Sequence, residues 1–230
     1  MNADAPAGDA APIPDWREVP VAVETNVLVT HARESQKRPV AYRSSRAIDA
    51  SATWMFTDGS GSGWHGLVVL RPGRPPRLVA RETRMAMRNV GAEMNGLLLA
   101  LEAVDAREPV TVVSDYLWSI YYVLDWRVAR HPALVEQVRE ARAALSAKAP
   151  ARLGFVHVRG HRRDGTDFGF WNDIADKLCG ARVAFDGELP ESVLREHVAS
   201  GRGLGELLRR AIDPSRETAG CGTDVERHEQ

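Results

Sequence analysis

The sequence is poor in cysteine and contains no long apolar run. Its two cysteines, Cys179 and Cys221, have no neighbouring metal ligands and no spacing typical of a disulfide framework. No stretch approaches the roughly 20 apolar residues that a membrane-spanning helix needs. The start of the chain lacks the basic and apolar regions of a secretory signal. These absences argue against a disulfide scaffold, an exported protein and a membrane partner, and we expect a cytoplasmic location.

Lysine is also scarce, since it occurs only at Lys37, Lys148 and Lys177. Arginine therefore supplies most of the positive charge, and the formal net charge is −1. Arginine is suited to bidentate contacts with phosphate, although genome composition is the commoner cause of such a bias. The charge balance by itself identifies no partner.

The length of 230 residues predicts one domain with extensions. Residues 1–15 have too little apolar surface to offset the entropy of ordering, so we expect them to be disordered. Residues 16–50 form a predicted β-rich extension, in which the alternation from Val19 to Val29 indicates a strand or a hairpin near Thr25. The main domain is predicted at 51–185, a helical extension at 186–213 and a flexible tail at 214–230.

The periodicity of the main domain alternates between strand and helix. We predict strands at 54–58, 64–70, 77–83, 110–114 and 153–158, and helices from Glu93, at 116–126, at 132–148 and from Asn172. In the extension, short amphipathic helices are predicted at 190–198 and 204–212. This order is typical of an α/β domain.

Carboxylates occur where these elements begin or end. Asp58 ends the first strand of the main domain, Asp115 follows a later strand, and Glu93 lies on the helix face that carries apolar residues. Asp173 and Asp176 lie near the start of the last helix of the domain. Such a set of carboxylates would repel one another unless cations were bound, and Mg²⁺ prefers oxygen ligands. A pair of such ions about 4 Å apart promotes phosphodiester hydrolysis.

Three of these carboxylates also have a simpler explanation. Asp58 and Gly59 are ordinary residues for the start of a turn. Glu93 in a first helical turn can complement the helix dipole, and we assign Asp173 this role.

Five short motifs follow one another along the chain: 57–60 (TDGS), 89–93 (NVGAE), 112–115 (VVSD), 157–161 (HVRGH) and 172–176 (NDIAD). In this order they resemble the motifs of type 1 ribonuclease H. The resemblance implies a ribonuclease H-like α/β fold with a five-stranded mixed sheet flanked by helices. It also implies an endonuclease that cuts the RNA strand of RNA–DNA hybrids with two Mg²⁺ ions, for which Mn²⁺ is a potential substitute.

The resemblance carries roles to individual residues. The implied metal ligands are Asp58, Glu93, Asp115 and Asp176, and His161 would assist proton movement and product departure. Residues implied or placed in contact with substrate are Gly59, Ser60, Arg88, Asn89, Tyr116 and Arg162, of which Gly59 and Asn89 would meet the sugar edge of the RNA.

The sequence departs from the family at several positions. Tyr116 follows the third carboxylate where a serine is common, and Arg88 replaces a small hydroxyl residue. Residues 126–131 are too few for the extra basic helix of some members. Two alternatives therefore stay open: the same fold acting on structured RNA or DNA, and a nucleic-acid-binding or assembly protein with little turnover. The sequence predicts no particular protein partner.

Overall fold

The computed structural model describes residues 21–25, 40–44, 48–83, 90–105, 108–125, 127–148, 153–160 and 165–215. The predictions for residues 1–15, for Arg88, Asn89, His161 and Arg162, and for most of the tail lie outside these ranges.

The described residues contain eight strands and six helices. The strands are β1 (Val21–Thr25), β2 (Val40–Ser44), β3 (Thr53–Gly59), β4 (Trp64–Leu70), β5 (Arg77–Glu82), β6 (Val110–Ser114), β7 (Leu153–His157) and β8 (Phe185–Glu188). The helices are α1 (Val90–Ala103), α2 (Leu117–Val123), α3 (Pro132–Lys148), α4 (Asp167–Ala181), α5 (Glu191–Ala199) and α6 (Leu204–Ile212). None of these helices is both long and apolar enough to cross a membrane.

All eight described strands join one mixed sheet in the order β2-β1-β7-β6-β3-β4-β5-β8. β3, β4 and β5 pair antiparallel, whereas β6 pairs parallel with β3 and β7 pairs parallel with β6. Short turns allow antiparallel neighbours, and the segments that contain α1, α2 and α3 provide the longer crossovers that parallel neighbours require. The predicted strand count of five is wrong for the sheet as a whole, because the five predicted strands form only its centre.

The three additional strands lie at the two edges of the sheet. β8 pairs antiparallel with β5. It spans the predicted boundary between the main domain and the helical extension, which lies between residues 185 and 186. Its short sequence FDGE carries two acidic residues and gives no strand periodicity, so its main-chain pairing with β5 decides its conformation. At the other edge, β1 pairs parallel with both β2 and β7. The strand prediction thus holds for Val21–Thr25, whereas the residues after Thr25 that would complete a hairpin lie outside the described ranges.

Two helices begin earlier than predicted, and one ends earlier. α1 begins at Val90 and not at Glu93. α4 begins at Asp167 and not near Asn172, because the Thr166 hydroxyl accepts a hydrogen bond from the Gly169 amide at 3.1 Å and caps the helix. α2 ends at Val123, three residues short of the predicted end.

The sheet separates two apolar clusters. On one face Met55 packs with residues of α1, α2 and α3. On the other face Trp54 and Phe56 pack with residues of α4, α5 and α6. The predicted alternation of β3 is thus confirmed, and both faces of this central strand are buried. Burial on both sides holds the end of β3, and the carboxylate there, between two layers of helices.

Candidate metal centre

Three carboxylates meet at the end of β3. β3 and β6 are parallel neighbours with Thr57 opposite Ser114, so Asp58 and Asp115 emerge side by side. Glu93 approaches them from the first turn of α1. One oxygen from each of Asp58, Glu93 and Asp115 lies within 4.8 Å of the other two. This separation allows one cation to reach all three carboxylates.

Glycine residues allow α1 to approach β3 closely. A Cβ atom at Gly59 would lie 2.0 Å from the carbonyl oxygen of Ala92 and 2.8 Å from the amide nitrogen of Glu93. A Cβ atom at Gly96 would lie 2.6 Å from the carbonyl oxygen of Asp58. Any larger side chain at either position would push the helix away from the strand, and Glu93 would move with it.

A third glycine brings α4 to the other face of the sheet. A Cβ atom at Gly66 on β4 would lie 2.2 Å from the carbonyl oxygen of Ala175. The next residue of α4, Asp176, interacts with Asp58 through its charge and through a hydrogen bond. The close packing at Gly66 therefore places a fourth carboxylate beside the first.

Asp173 has different surroundings from Asp176. The ammonium of Lys177 donates a hydrogen bond to Asp173 Oδ2 at 2.5 Å, one helical turn away. Asp173 is thus paired with a cation, whereas Asp176 interacts with another carboxylate. The assignment of Asp176 as a metal ligand stays a prediction that this difference supports.

The carboxylate cluster is electrostatically unfavourable as it stands. Asp58 is 7% exposed, and its burial, followed by the charges of Asp115 and Asp176, raises its pKa from 3.8 to about 7. Burial and the neighbouring charges of Asp58 and Asp115 also raise the pKa of Glu93 well above its usual range. Oε2 of Glu93 is buried and finds no hydrogen-bond partner among the residues that the structure describes. A divalent cation would relieve both the repulsion and the missing contact.

Asp115 is held by neighbours on two further elements. Nδ2 of Asn172 donates to Asp115 Oδ2 at 3.3 Å, and Nε2 of His157 donates to the Asp115 carbonyl oxygen at 3.1 Å. Burial lowers the pKa of His157, which favours the neutral ring. A Cβ atom at Gly160 would lie 2.5 Å from Asp115 Oδ2. Asn172 was included in a sequence motif, but only its contact in the folded chain reveals a role.

An aromatic and cationic surface lies beside Asp115, and sequence reasoning missed most of it. Trp118 on α2 is 43% exposed, and the guanidinium carbon of Arg127 lies 3.6 Å from its ring centroid. Tyr116 is partly buried, and its pKa is raised by burial and by the charges of Tyr122 and Glu93. A sequence signal for this surface exists. The helix that follows the candidate ligand Asp115 carries a tryptophan, Trp118, on its polar side.

The predicted substrate residues fall into two groups. Gly59 packs against α1, and Ser60 lies in the β3–β4 turn, where its hydroxyl is 2.8 Å from that of Ser62. Tyr116 lies at the start of α2 beside the cluster. The remaining substrate residues and His161 lie outside the described ranges, so their roles stay predictions.

No family model and no curated protein sequence matches the chain. Solved structures similar to it include RNase H1 from the halophilic archaeon Halobacterium salinarum NRC-1, which is 18% identical with a TM-score of 0.43 and covers 56% of this chain and 95% of its own. LC9-RNase H1, a type 1 RNase H with the type 2 active-site motif, is 19% identical with a TM-score of 0.46, over 71% of this chain and 87% of its own. Prototype foamy virus protease-reverse transcriptase is 16% identical with a TM-score of 0.44, and the similarity spans 66% of this chain but only 26% of the viral chain.

The described residues themselves define the architecture of the chain. The central strands form a mixed sheet with helices on both faces. The carboxylates of four sequence motifs lie at the end of β3, in the first turn of α1, after β6 and on α4. This arrangement, a mixed α/β sheet flanked by helices with carboxylates at these four places, is the one that the ordered motifs implied.

Proposed function

We propose that the protein is a metal-dependent endonuclease that hydrolyses the RNA strand of RNA–DNA hybrids. The observation that supports this proposal most directly is the convergence of Asp58, Glu93 and Asp115 to within 4.8 Å at the end of the central strand. Clustered carboxylates with raised pKa values destabilise the fold, and such groups are typical of functional sites.

The donor set fits Mg²⁺, with Mn²⁺ as a substitute. Every donor in the cluster is a carboxylate oxygen, the ligand type that hard divalent cations prefer. We assign two ions to Asp58, Glu93, Asp115 and Asp176. When bound, such ions neutralise charge on the phosphodiester and make a bound water nucleophilic at neutral pH.

The residues of the chain have separable roles in this proposal. Asp58 interacts with Glu93, Asp115 and Asp176, so its charge matters to the whole cluster. Asn172 orients the carboxylate of Asp115 through its hydrogen bond. His161 would move a proton and help the product to leave.

Recognition of the RNA strand requires a contact with the 2′-hydroxyl group, which distinguishes RNA from DNA. We assign this contact to Asn89, because an amide can both donate and accept a hydrogen bond. Arg88 and Arg162 would contact phosphates. The stacked pair of Trp118 and Arg127 presents an aromatic ring and a cation, which suit a sugar face and a phosphate.

The choice of a hybrid substrate rests on the sequence motifs and not on the carboxylates, since their chemistry does not select the sugar. We place the activity in the cytoplasm, where unpaired cysteines such as Cys179 stay reduced.

A cleavage assay with end-labelled substrates tests the proposal. The protein is incubated with Mg²⁺ and a hybrid, double-stranded RNA, single-stranded RNA or duplex DNA of one sequence. We expect cleavage of the hybrid RNA strand alone, its loss in chelator, and its loss in Asp115→Asn. The matched control is Asp173→Asn, which removes a carboxylate that is paired with Lys177 outside the cluster.

Other outcomes would select an alternative. Equal cleavage of double-stranded RNA or DNA would assign the same chemistry to another substrate. Binding of the hybrid without turnover at any Mg²⁺ or Mn²⁺ concentration would indicate a binding or assembly protein.

A further inference from the structure

A buried amide connects α3 to the first turn of α1. Gln137 of α3 is 1% exposed. Its Nε2 atom donates a hydrogen bond to Asn95 Oδ1 at 2.6 Å and to the Gly91 carbonyl oxygen at 3.1 Å. Both acceptors belong to α1, and Gly91 lies two residues before Glu93. One side chain of a distant helix therefore holds the turn that carries a proposed metal ligand.

The contacts continue from α1 to the sheet. Nδ2 of Asn95 donates to Thr83 Oγ1 at 3.4 Å, and Nε2 of His65 lies 2.7 Å from the same hydroxyl. His65 is 1% exposed and lies opposite Gly59 in the β3–β4 ladder. The chain of polar contacts thus runs from α3 through α1 to the strand next to the one that carries Asp58.

The position of this network suggests a purpose beyond stability. A buried hydrogen bond contributes little more to the free energy of folding than well-packed apolar groups of the same shape. Stability alone therefore does not explain the amide of Gln137. Glu93 stays in the cluster only while the first turn of α1 stays close to β3, in the contact that Gly59 and Gly96 allow. The hydrogen bond from Gln137 to the Gly91 carbonyl, two residues before Glu93, opposes a movement of this turn away from the sheet more specifically than apolar packing would.

We propose that Gln137 is a positioning residue, which acts with Asn95 to hold the first turn of α1 so that Glu93 stays within the carboxylate cluster before metal binds. This inference rests on the proposed metal-dependent function. Outer residues that orient metal ligands typically contribute a factor of about 10 to 100 in metal affinity. Because Gln137 acts through the backbone of α1, we expect its contribution to metal affinity to lie at the lower end of this range.

The test measures Mn²⁺ and Mg²⁺ binding by isothermal titration calorimetry, together with thermal unfolding in chelator. Gln137→Met keeps the length of the side chain and removes its donors. We expect metal binding to weaken by about 10-fold, with the Mg²⁺ concentration for half-maximal cleavage raised by a similar factor and KM for the nucleic acid unchanged.

Thr53→Val provides the matched control. Thr53 is 2% exposed and donates to Glu108 Oε2 at 2.8 Å, at the end of β3 that is remote from the cluster. This variant also loses a hydrogen bond, a partly buried one, so its melting temperature should fall, but its metal affinity should not change.

A second, milder variant keeps the inference testable if Gln137→Met folds poorly. Thr83→Val removes the hydroxyl to which Asn95 and His65 are bonded, at a position that is only partly buried. We expect a loss of metal affinity that is smaller than that of Gln137→Met but larger than that of Thr53→Val.

The outcomes separate this inference from the proposed function. If wild-type protein binds metal and cleaves, but Gln137→Met and Thr83→Val lose no more metal affinity than Thr53→Val, the positioning role is refuted and the function stands. If wild-type protein binds neither Mg²⁺ nor Mn²⁺, the proposed function and this inference are both refuted.

Discussion

Replacement of Asp58 by asparagine should abolish cleavage and also raise the stability of the metal-free protein. The carboxylate of Asp58 is buried and faces Asp115 and Asp176, and these surroundings raise its pKa to about 7. Asparagine has nearly the same shape but no charge. The substitution therefore removes a negative charge that is disfavoured by burial and by its charged neighbours, and that is useful only when a cation is present.

The size of the effect follows from the difference between folded and unfolded pKa values. One pKa unit corresponds to about 1.4 kcal/mol, so a rise from 3.8 to about 7 corresponds to roughly 4 kcal/mol of destabilisation above neutral pH. A buried amide without full hydrogen bonding costs about 1–3 kcal/mol. The free energy of unfolding of the metal-free protein should thus rise by about 2 kcal/mol, which corresponds to roughly 4–8 °C in melting temperature for a chain of this size.

The pH dependence has a defined sign. Because the pKa of Asp58 is higher in the folded state than its ordinary value of 3.8, the protonated group supports folding below about pH 4, and this support is lost as the pH rises through about 7. The advantage of Asp58→Asn in chelator should therefore be larger at about pH 8 than at about pH 5.

Differential scanning calorimetry in chelator and in excess Mg²⁺ measures this prediction. In Mg²⁺ the difference in melting temperature between Asp58→Asn and wild type should narrow or reverse, because a ligand that binds the folded wild-type protein stabilises it by mass action. Asp173→Asn is the control, since it breaks an ion pair with Lys177 and should not stabilise the protein. If the Asp58→Asn protein melts no higher than wild type in chelator at both pH values, the assigned cost of the buried and repelled Asp58 charge is refuted.

Further predictions concern packing, the substrate surface and proton transfer. Gly59→Ala should lower the melting temperature and cleavage together, because a Cβ atom there would lie 2.0 Å from a carbonyl oxygen of α1, whereas Gly61→Ala, with open space around it, should change neither by much; equal melting curves would refute the packing argument. Trp118→Ala should raise KM for the hybrid by about 10-fold, since loss of a stacking contact costs about 1–3 kcal/mol, and an unchanged KM would remove this residue from the substrate surface. His161→Ala should lower kcat by roughly 10²-fold with little change in hybrid affinity, and a loss confined to affinity would make it a phosphate contact. Asn89→Ala should reduce hybrid cleavage by about 10-fold without changing metal affinity, whereas a lower melting temperature with normal kinetics would indicate a helix cap only.

The sequence by itself determined the local features of this protein. The alternation of Trp54, Met55 and Phe56 was sufficient to identify β3 and the two faces on which it packs. The ordered motifs singled out Asp58 and Glu93 among many acidic residues, and the structure brings these two carboxylates close together. These features depend on periodicity and on residue chemistry, which adjacent residues carry.

Other features were decided only by the tertiary structure. β8 is a strand because β5 offers it an unpaired edge, and nothing in its own four residues indicates this. The contact of Gln137 with Gly91 joins residues 46 positions apart, and the stacking of Arg127 on Trp118 depends on where the chain turns after α2. Such contacts depend on how helices and strands pack against one another, and sequence periodicity records which face of an element is buried but not which residue it meets there.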